Sequence, residues 1–275
     1  MKKPFGLVVA SCVLAMVAMS GRPSAQSTSP LFSTTFNCPD WRQSLGLADV
    51  DVCALGDGIA GAGAWTTSAG SEDMITLAAN RPGGGGGKGF RHWRGDGYNN
   101  DGGGLAISLP IPVNKMSVRF YMRYQAGFTW AAGHPGGTKE TYWKSGTGSI
   151  YFGFSGGVLR FVANGLPYNS SITWNDIMGG STGDGLWHVY DYFVQTDTNG
   201  TNGLGKIWVD GKLVFDRNDL NWHNGTWQSF LLGSNQETPA NGKDNYTDYD
   251  DITVTAGSLT TIAFPAAPTN VHIMR

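Results

Sequence analysis

The chain has 275 residues, 41 of them glycine and only 15% charged, a composition that suits a loop-rich β protein and gives no sign of a long helix. Nineteen basic and 21 acidic side chains leave a formal net charge of −2, which excludes nucleic acid as the designed partner. Any affinity for an acidic polymer must therefore come from a local groove.

Residues 1–25 begin with Lys2 and Lys3, run through an apolar stretch from Phe5 to Met19, and reach small residues at Ser20, Ser24 and Ala25. That order reads as a secretory signal peptide, with cleavage after Ala25 or, as second choice, Ser20, and not as a membrane span. Its loss removes three basic residues, Lys2, Lys3 and Arg22, and no acidic one, so the balance moves from −2 to −5. A secreted or periplasmic location follows. Cys38 and Cys53 remain, and in an exported chain the pair reads as a disulfide closing a span of about 15 residues, worth ~3 kcal/mol in the chain-entropy picture. Residues 26–62 form a lead-in, first rich in Ser, Thr and Pro, then more compact around Trp41 and the cysteines. Residues 258–275, with Pro265 and Pro268, form a tail or linker.

The body, residues 63–257, reads as short strands between glycine and asparagine turns. Met74 to Ala78 is the first strand, and the run from Pro82 to Gly89 is a loop, because glycine loses most entropy on ordering. Leu105 to Leu109 is a strand that Pro110 and Pro112 should end. In Ser117 to Tyr124, period two sets Val118, Phe120, Met122 and Tyr124 on one face and Arg119, Tyr121 and Arg123 on the other. One face is core and the other a basic, aromatic strip. Ser149 to Phe154 and Val158 to Ala163 flank Gly156 and Gly157, which predicts a hairpin. Trp187 to Thr196 and Lys206 to Val209 are further strands, and Asp210-Gly211 predicts a type I′ turn that folds Leu213 to Asp216 straight back. Trp227 to Leu232 and Ile252 to Thr255 complete the set. The fold class is all-β, a two-sheet antiparallel sandwich or jelly roll.

Several chemistries drop out on spacing. Gly153-Phe154-Ser155-Gly156-Gly157 has the letters of a nucleophile elbow but a strand follows where a helix is required. The glycine run before Lys88 lacks the first P-loop glycine and the final hydroxyl residue, and the five histidines show no metal-binding spacing.

Trp187-His188, then Gly205 to Val214 with its Trp208-Val209-Asp210-Gly211 core, then Tyr249-Asp250-Asp251-Ile252-Thr253-Val254 resemble the concanavalin A-like lectin/glucanase superfamily. The arginine-bearing strand, Phe128-Thr129-Trp130 and Gly136-Gly137-Thr138-Lys139 resemble the alginate and glucuronate lyases of that superfamily. The resemblance implies a jelly roll whose concave face meets carbohydrate, with a lysine after a Gly-Gly step at the groove and tyrosines on neighbouring strands assisting. Here a threonine precedes Lys139, and Glu140-Thr141-Tyr142-Trp143 replaces the small hydrophobic run of the family. Laminarinase-type hydrolysis is excluded separately. It needs a Glu-x-Asp-x-x-Glu strand for its paired carboxylates, and the glutamates Glu72, Glu140 and Glu237 stand far apart.

β-Elimination on a uronate must neutralise a carboxylate, remove the adjacent proton and protonate the leaving oxygen. Arginine offers a planar fork for the first task, and lysine or tyrosine can move protons for the others. The expected catalytic set is Lys139, Tyr121, Arg119 and Arg123. Trp130, with His188, Tyr190 and Tyr192 along one face of their strand, is the expected substrate-binding set, although period two does not decide which face of that strand is inward. The resemblance also implies a structural calcium near Asp250 and Asp251, since jelly rolls of this kind hold calcium by a terminal aspartate and oxygen suits calcium. The expected partner is a polysaccharide, bound by a monomer, with cleavage by β-elimination as the more specific expectation and a non-catalytic lectin or adhesion module as the alternative.

Overall fold

The structure is a computed structural model that describes residues 30–42, 63–64, 73–95, 105–145, 149–163, 165–222, 225–233 and 245–257. The expected leader, Cys53 and the tail 258–275 lie outside the described residues. In chain order the strands are β1 (Phe32–Thr34), β2 (Trp41–Arg42), β3 (Gly63–Ala64), β4 (Met74–Thr76), β5 (Gly89–Gly95), β6 (Leu105–Val113), β7 (Lys115–Tyr124), β8 (Thr141–Ser145), β9 (Ser149–Ser155), β10 (Val158–Ala163), β11 (Leu166–Thr173), β12 (His188–Gln195), β13 (Gly203–Val209), β14 (Lys212–Leu220), β15 (Trp227–Leu232) and β16 (Asn245–Ala256). A short helix, α1 (Trp174–Met178), lies between β11 and β12. It is closed at its start by a capping box between Thr173 and Asp176.

Among the described residues the strands form two sheets. Sheet A has the order β14-β13-β12-β7-β16-β5-β4-β2, with β1 also on β16, and sheet B has the order β11-β10-β9-β8-β15-β6-β3. All pairings among the described strands are antiparallel, and the chain is an all-β sandwich as expected. Alternation explains why the two sheets stack. Val118, Phe120, Met122 and Tyr124 of β7 are buried, as are Ile150, Phe152 and Phe154 of β9. Phe120 meets Phe152 edge-on with ring centroids 6.2 Å apart, and Trp143 of β8 meets Tyr192 of β12 at 5.8 Å. Such pairs carry large buried areas plus about 0.5–1.5 kcal/mol each from ring geometry.

The hairpins fall where the sequence puts them. Gly156 and Gly157 both have positive φ between β9 and β10, and Asp210 (φ 51°) and Gly211 (φ 78°) turn β13 into β14. Two expectations are corrected. Pro110 and Pro112 do not end β6, because they fall where its pairing with β15 is interrupted, between Trp227↔Val113 and Ser229↔Ser108, so no ladder hydrogen bond is demanded of them there. The strand expected at Ile252 to Thr255 is the end of a longer one, β16, whose register breaks between Asp250 and Thr253, with Asp251 in the left-handed region (φ 45°). β11 has no sequence expectation, for its Leu-Pro-Tyr-Asn-Ser-Ser-Ile-Thr run lacks a clean alternation.

Candidate functional site

The outward side of sheet A carries Arg119, Tyr121 and Arg123, as period two requires. Each arginine is committed. Asp191 stands opposite Arg119 across β12 and β7, and the guanidinium donates to it twice, Nε to Oδ1 at 2.6 Å and Nη2 to Oδ2 at 2.9 Å. Asp248 stands opposite Arg91 on one side and Arg123 on the other, because β16 runs between β5 and β7. It accepts from both, at 2.7 and 2.6 Å, and is itself fully buried. Arg123 also lies over the Trp187 ring, 4.7 Å from its centroid, and Arg81 covers Tyr121 at 3.8 Å. The basic strip is a row of closed ion pairs and capped rings.

Lys139 lies on the other side of the molecule. Its Nζ sits 5.7 Å from the ring centroid of Tyr142 on β8 and 5.4 Å from that of Tyr151 on β9. These are outward positions of sheet B, since Thr141, Trp143, Phe152 and Phe154 point inward and are buried. The structure therefore does not bring Lys139 to Arg119, Tyr121 and Arg123; the two sheets separate them.

The substrate-binding expectations give way to packing. Tyr190 and Tyr192 are fully buried, Tyr190 stacked on Phe120 at 5.2 Å, and burial pushes both phenols well above the ordinary tyrosine pKa. Neither can meet a sugar or exchange a proton near neutrality. Trp130 is buried among Phe128, Tyr124 and Trp174, with centroids 4.8, 6.1 and 5.9 Å away. His188 is buried between two carboxylates, Nδ1 to Asp210 at 2.7 Å and Nε2 to Asp184 at 3.1 Å. Burial alone lowers its pKa, but the two aspartates outweigh it and hold the pKa at about 9, so the ring is a charged clamp on the β13–β14 turn.

The terminal aspartates are a poor fit to calcium. Asp251 is gripped by the Arg81 guanidinium, with Nε at 2.8 Å, and accepts from the Gly85 N–H at 3.0 Å. Asp250 accepts the backbone N–H groups of Arg81 at 2.8 Å and Asp251 at 2.7 Å, while burial lifts its pKa to about 7. Among the described residues no group of three or more His, Cys, Asp or Glu side chains converges as metal ligands would. Cys38 is buried, and its expected partner Cys53 lies outside the described residues.

What the sequence reading missed is the outward side of sheet B. Tyr142 and Tyr151 are cross-strand partners whose rings stack with centroids 6.1 Å apart. Lys139 spans both rings, Lys144 lies 5.6 Å from Tyr142, and Arg160 of β10 lies 5.7 Å from Tyr151. Cations over phenol faces gain about 0.5–1 kcal/mol at exposed sites. The Arg160 guanidinium donates Nη2 to the Tyr151 hydroxyl at 3.4 Å, and its buried Nε has no hydrogen-bond partner among the described residues. The strands β3, β6, β8, β9, β10, β11 and β15 contain no aspartate or glutamate at all. Sheet A holds Asp191, Asp216, Asp219, Asp248, Asp250 and Asp251. A chain of net negative charge thus keeps one sheet free of acid. The alternation of Thr141 to Ser145 carried the signal, legible only once its partner strand β9 is known.

No protein-family model matches the chain, and no curated protein matches it in sequence. Solved structures match in fold. A variant of the alginate lyase Aly36B in complex with an alginate trisaccharide aligns with TM-score 0.51 at 14% identity, over 82% of this chain and 98% of that one. The cellulose-induced protein Cip1 aligns with TM-score 0.50 at 15% identity, over 70% of this chain and 88% of that one. At such identities the likeness shows the fold alone: this chain shares the two-sheet jelly-roll fold of those two structures.

Proposed function

We propose that the outward side of sheet B binds an acidic, uronate-bearing polysaccharide, and that its finer role is cleavage by β-elimination. One observation carries the reading: Lys139, Lys144 and Arg160 gather around the Tyr142–Tyr151 pair on a sheet whose strands hold no acidic residue. Phenol rings offer flat apolar faces to sugar rings, and the cations meet the carboxylates. In the elimination, Arg160 holds the uronate carboxylate and so stabilises the charge that develops when the neighbouring proton leaves. Lys139 or a tyrosine takes that proton, the glycosidic C–O bond breaks, and Tyr142 or Tyr151 returns a proton to the leaving oxygen. The products are a new reducing end and an unsaturated uronate end. The alginate complex of a fold neighbour is consistent with such a ligand on this architecture. The chain is proposed to act outside the cytoplasm as a monomer, with residues 1–25 removed and Cys38 bonded to Cys53.

The test is incubation of the mature protein with alginate, glucuronan and neutral glucans, followed by ultraviolet absorbance of unsaturated uronate ends and by calorimetric titration. Lys139→Ala should abolish the absorbance and weaken polyuronate binding about tenfold, equivalent to one lost charge-assisted contact. Binding without absorbance assigns the lectin role instead. Neutral glucans bound as tightly as polyuronates would overturn the reading.

A further inference from the structure

Glu140 is a fully buried carboxylate between the two sheets. It sits immediately before β8, one residue after Lys139, and points the opposite way. Tyr124 of β7 donates its hydroxyl to Oε1, and Tyr249 of β16 donates to Oε2 at 3.0 Å and to the Glu140 carbonyl at 3.0 Å. Both phenols belong to sheet A, so one side chain beside the central strand of sheet B is pinned to two adjacent strands of the other sheet. The backbone is held as firmly: Glu140 N–H donates to Phe152 at 2.7 Å and its carbonyl accepts from Gly233 at 3.0 Å. On the other flank Thr138 is also fully buried, its N–H donating to the Phe154 carbonyl at 2.7 Å and its Oγ1 accepting from the Phe154 N–H at 2.8 Å. Lys139 is the one half-exposed residue between two locked ones.

We infer that Glu140 is the positioning residue of the sheet B site: by tying the 138–140 segment to sheet A it fixes Lys139 over both phenol rings. The inference rests on the proposed binding face. A buried carboxylate loses hydration that an apolar side chain of like volume never had, and its two phenol hydrogen bonds are what offsets that loss. What a methionine cannot reproduce is the pair of phenol hydrogen bonds that sets one position for the segment. Tyr124 and Tyr249, though they never meet solvent, thereby act on the ligand face through Glu140 and then through the backbone of Lys139.

The experiment reads Lys139 directly. Lysines of the intact mature protein are reductively methylated with a carbon-13 label, and the Lys139 methyl signal is assigned by loss in Lys139→Ala. Held over two rings, it is shifted upfield by ring currents in the wild type. Glu140→Met should move it to the position of a free lysine while leaving the Lys144 signal in place, and should weaken polyuronate binding about tenfold. Glu140→Gln, which can still accept from one phenol, should restore most of the shift. If Glu140→Met does not fold, Tyr249→Phe keeps the volume and removes one donor, and it should reduce the shift. An unchanged Lys139 shift in the folded Glu140→Met or Tyr249→Phe variant overturns the inference. Loss of the shift in a protein whose wild type binds no polyuronate supports the positioning and overturns the binding reading, so the two failures are distinct.

Discussion

His188 illustrates how a residue expected at a ligand surface becomes part of the scaffold. Its ring joins Asp184, four residues upstream, to Asp210 in the type I′ turn, and Asp210 Oδ1 also accepts the Val189 N–H at 2.9 Å. Because the folded pKa of about 9 lies above the unfolded value of 6.5, the folded state holds this proton more tightly. The contribution is fully present below pH 6.5 and is lost as pH rises to about 9. It amounts to at most about 3 kcal/mol, reduced because Asp210 is half exposed and screened. Asp250 acts lower on the scale: its raised pKa adds stability as pH falls from about 7 toward 3.8. Thermal unfolding followed from pH 6 to pH 9.5 should show Tm falling through this window in the wild type and a flatter profile in His188→Asn. Parallel profiles would remove His188 as the source. The sequence showed His188 on a strand, but not that Asp184 and Asp210 close on it, since exposure and not spacing decides whether a histidine is a ligand or a clamp.

At the scale of elements, turns and alternation were legible because they are local. The Gly156-Gly157 and Asp210-Gly211 hairpins and the two faces of β7 needed only neighbouring residues. Which face of β12 turns inward was not legible, because Asp191 reaches outward only by virtue of Arg119, 72 positions away. The glycine run is a further case. It was readable as a loop, but its glycines serve close approach to β16 and the N-terminal segment: a Cβ on Gly84 would stand 2.8 Å from Asp251 Oδ2, and one on Gly86 would collide with the Thr35 carbonyl. At Gly87 a Cβ meets nothing within 4 Å. Gly86→Ala should therefore cost about 1–3 kcal/mol by forcing the loop off Thr35, while Gly87→Ala should change stability by less than about 1 kcal/mol in either direction. Urea unfolding of the two variants checks this. Equal costs would mean that the loop yields to a methyl group wherever it is placed.

The whole molecule divides its acidic residues by sheet, and under the proposed function that division distinguishes the roles of its arginines. On sheet A, Arg119 is matched by a buried aspartate through two hydrogen bonds, so a sugar carboxylate arriving there must break an existing ion pair. On sheet B, Arg160 donates only to a phenol among the described residues and can turn its fork to an incoming carboxylate without that cost. Truncation should separate the two roles. Arg119→Ala leaves Asp191 buried and unpaired, so stability should fall by about 3–5 kcal/mol while the affinity of the folded protein for polyuronate stays unchanged. Arg160→Ala strands no carboxylate, so stability should move by less than about 1 kcal/mol, while affinity falls about tenfold and becomes less sensitive to salt. Chemical unfolding and titration at two ionic strengths measure both quantities on the same samples. If Arg119→Ala, still folded, loses polyuronate binding and Arg160→Ala does not, the polymer lies on sheet A. The acid-free sheet is then only a charge asymmetry of the fold.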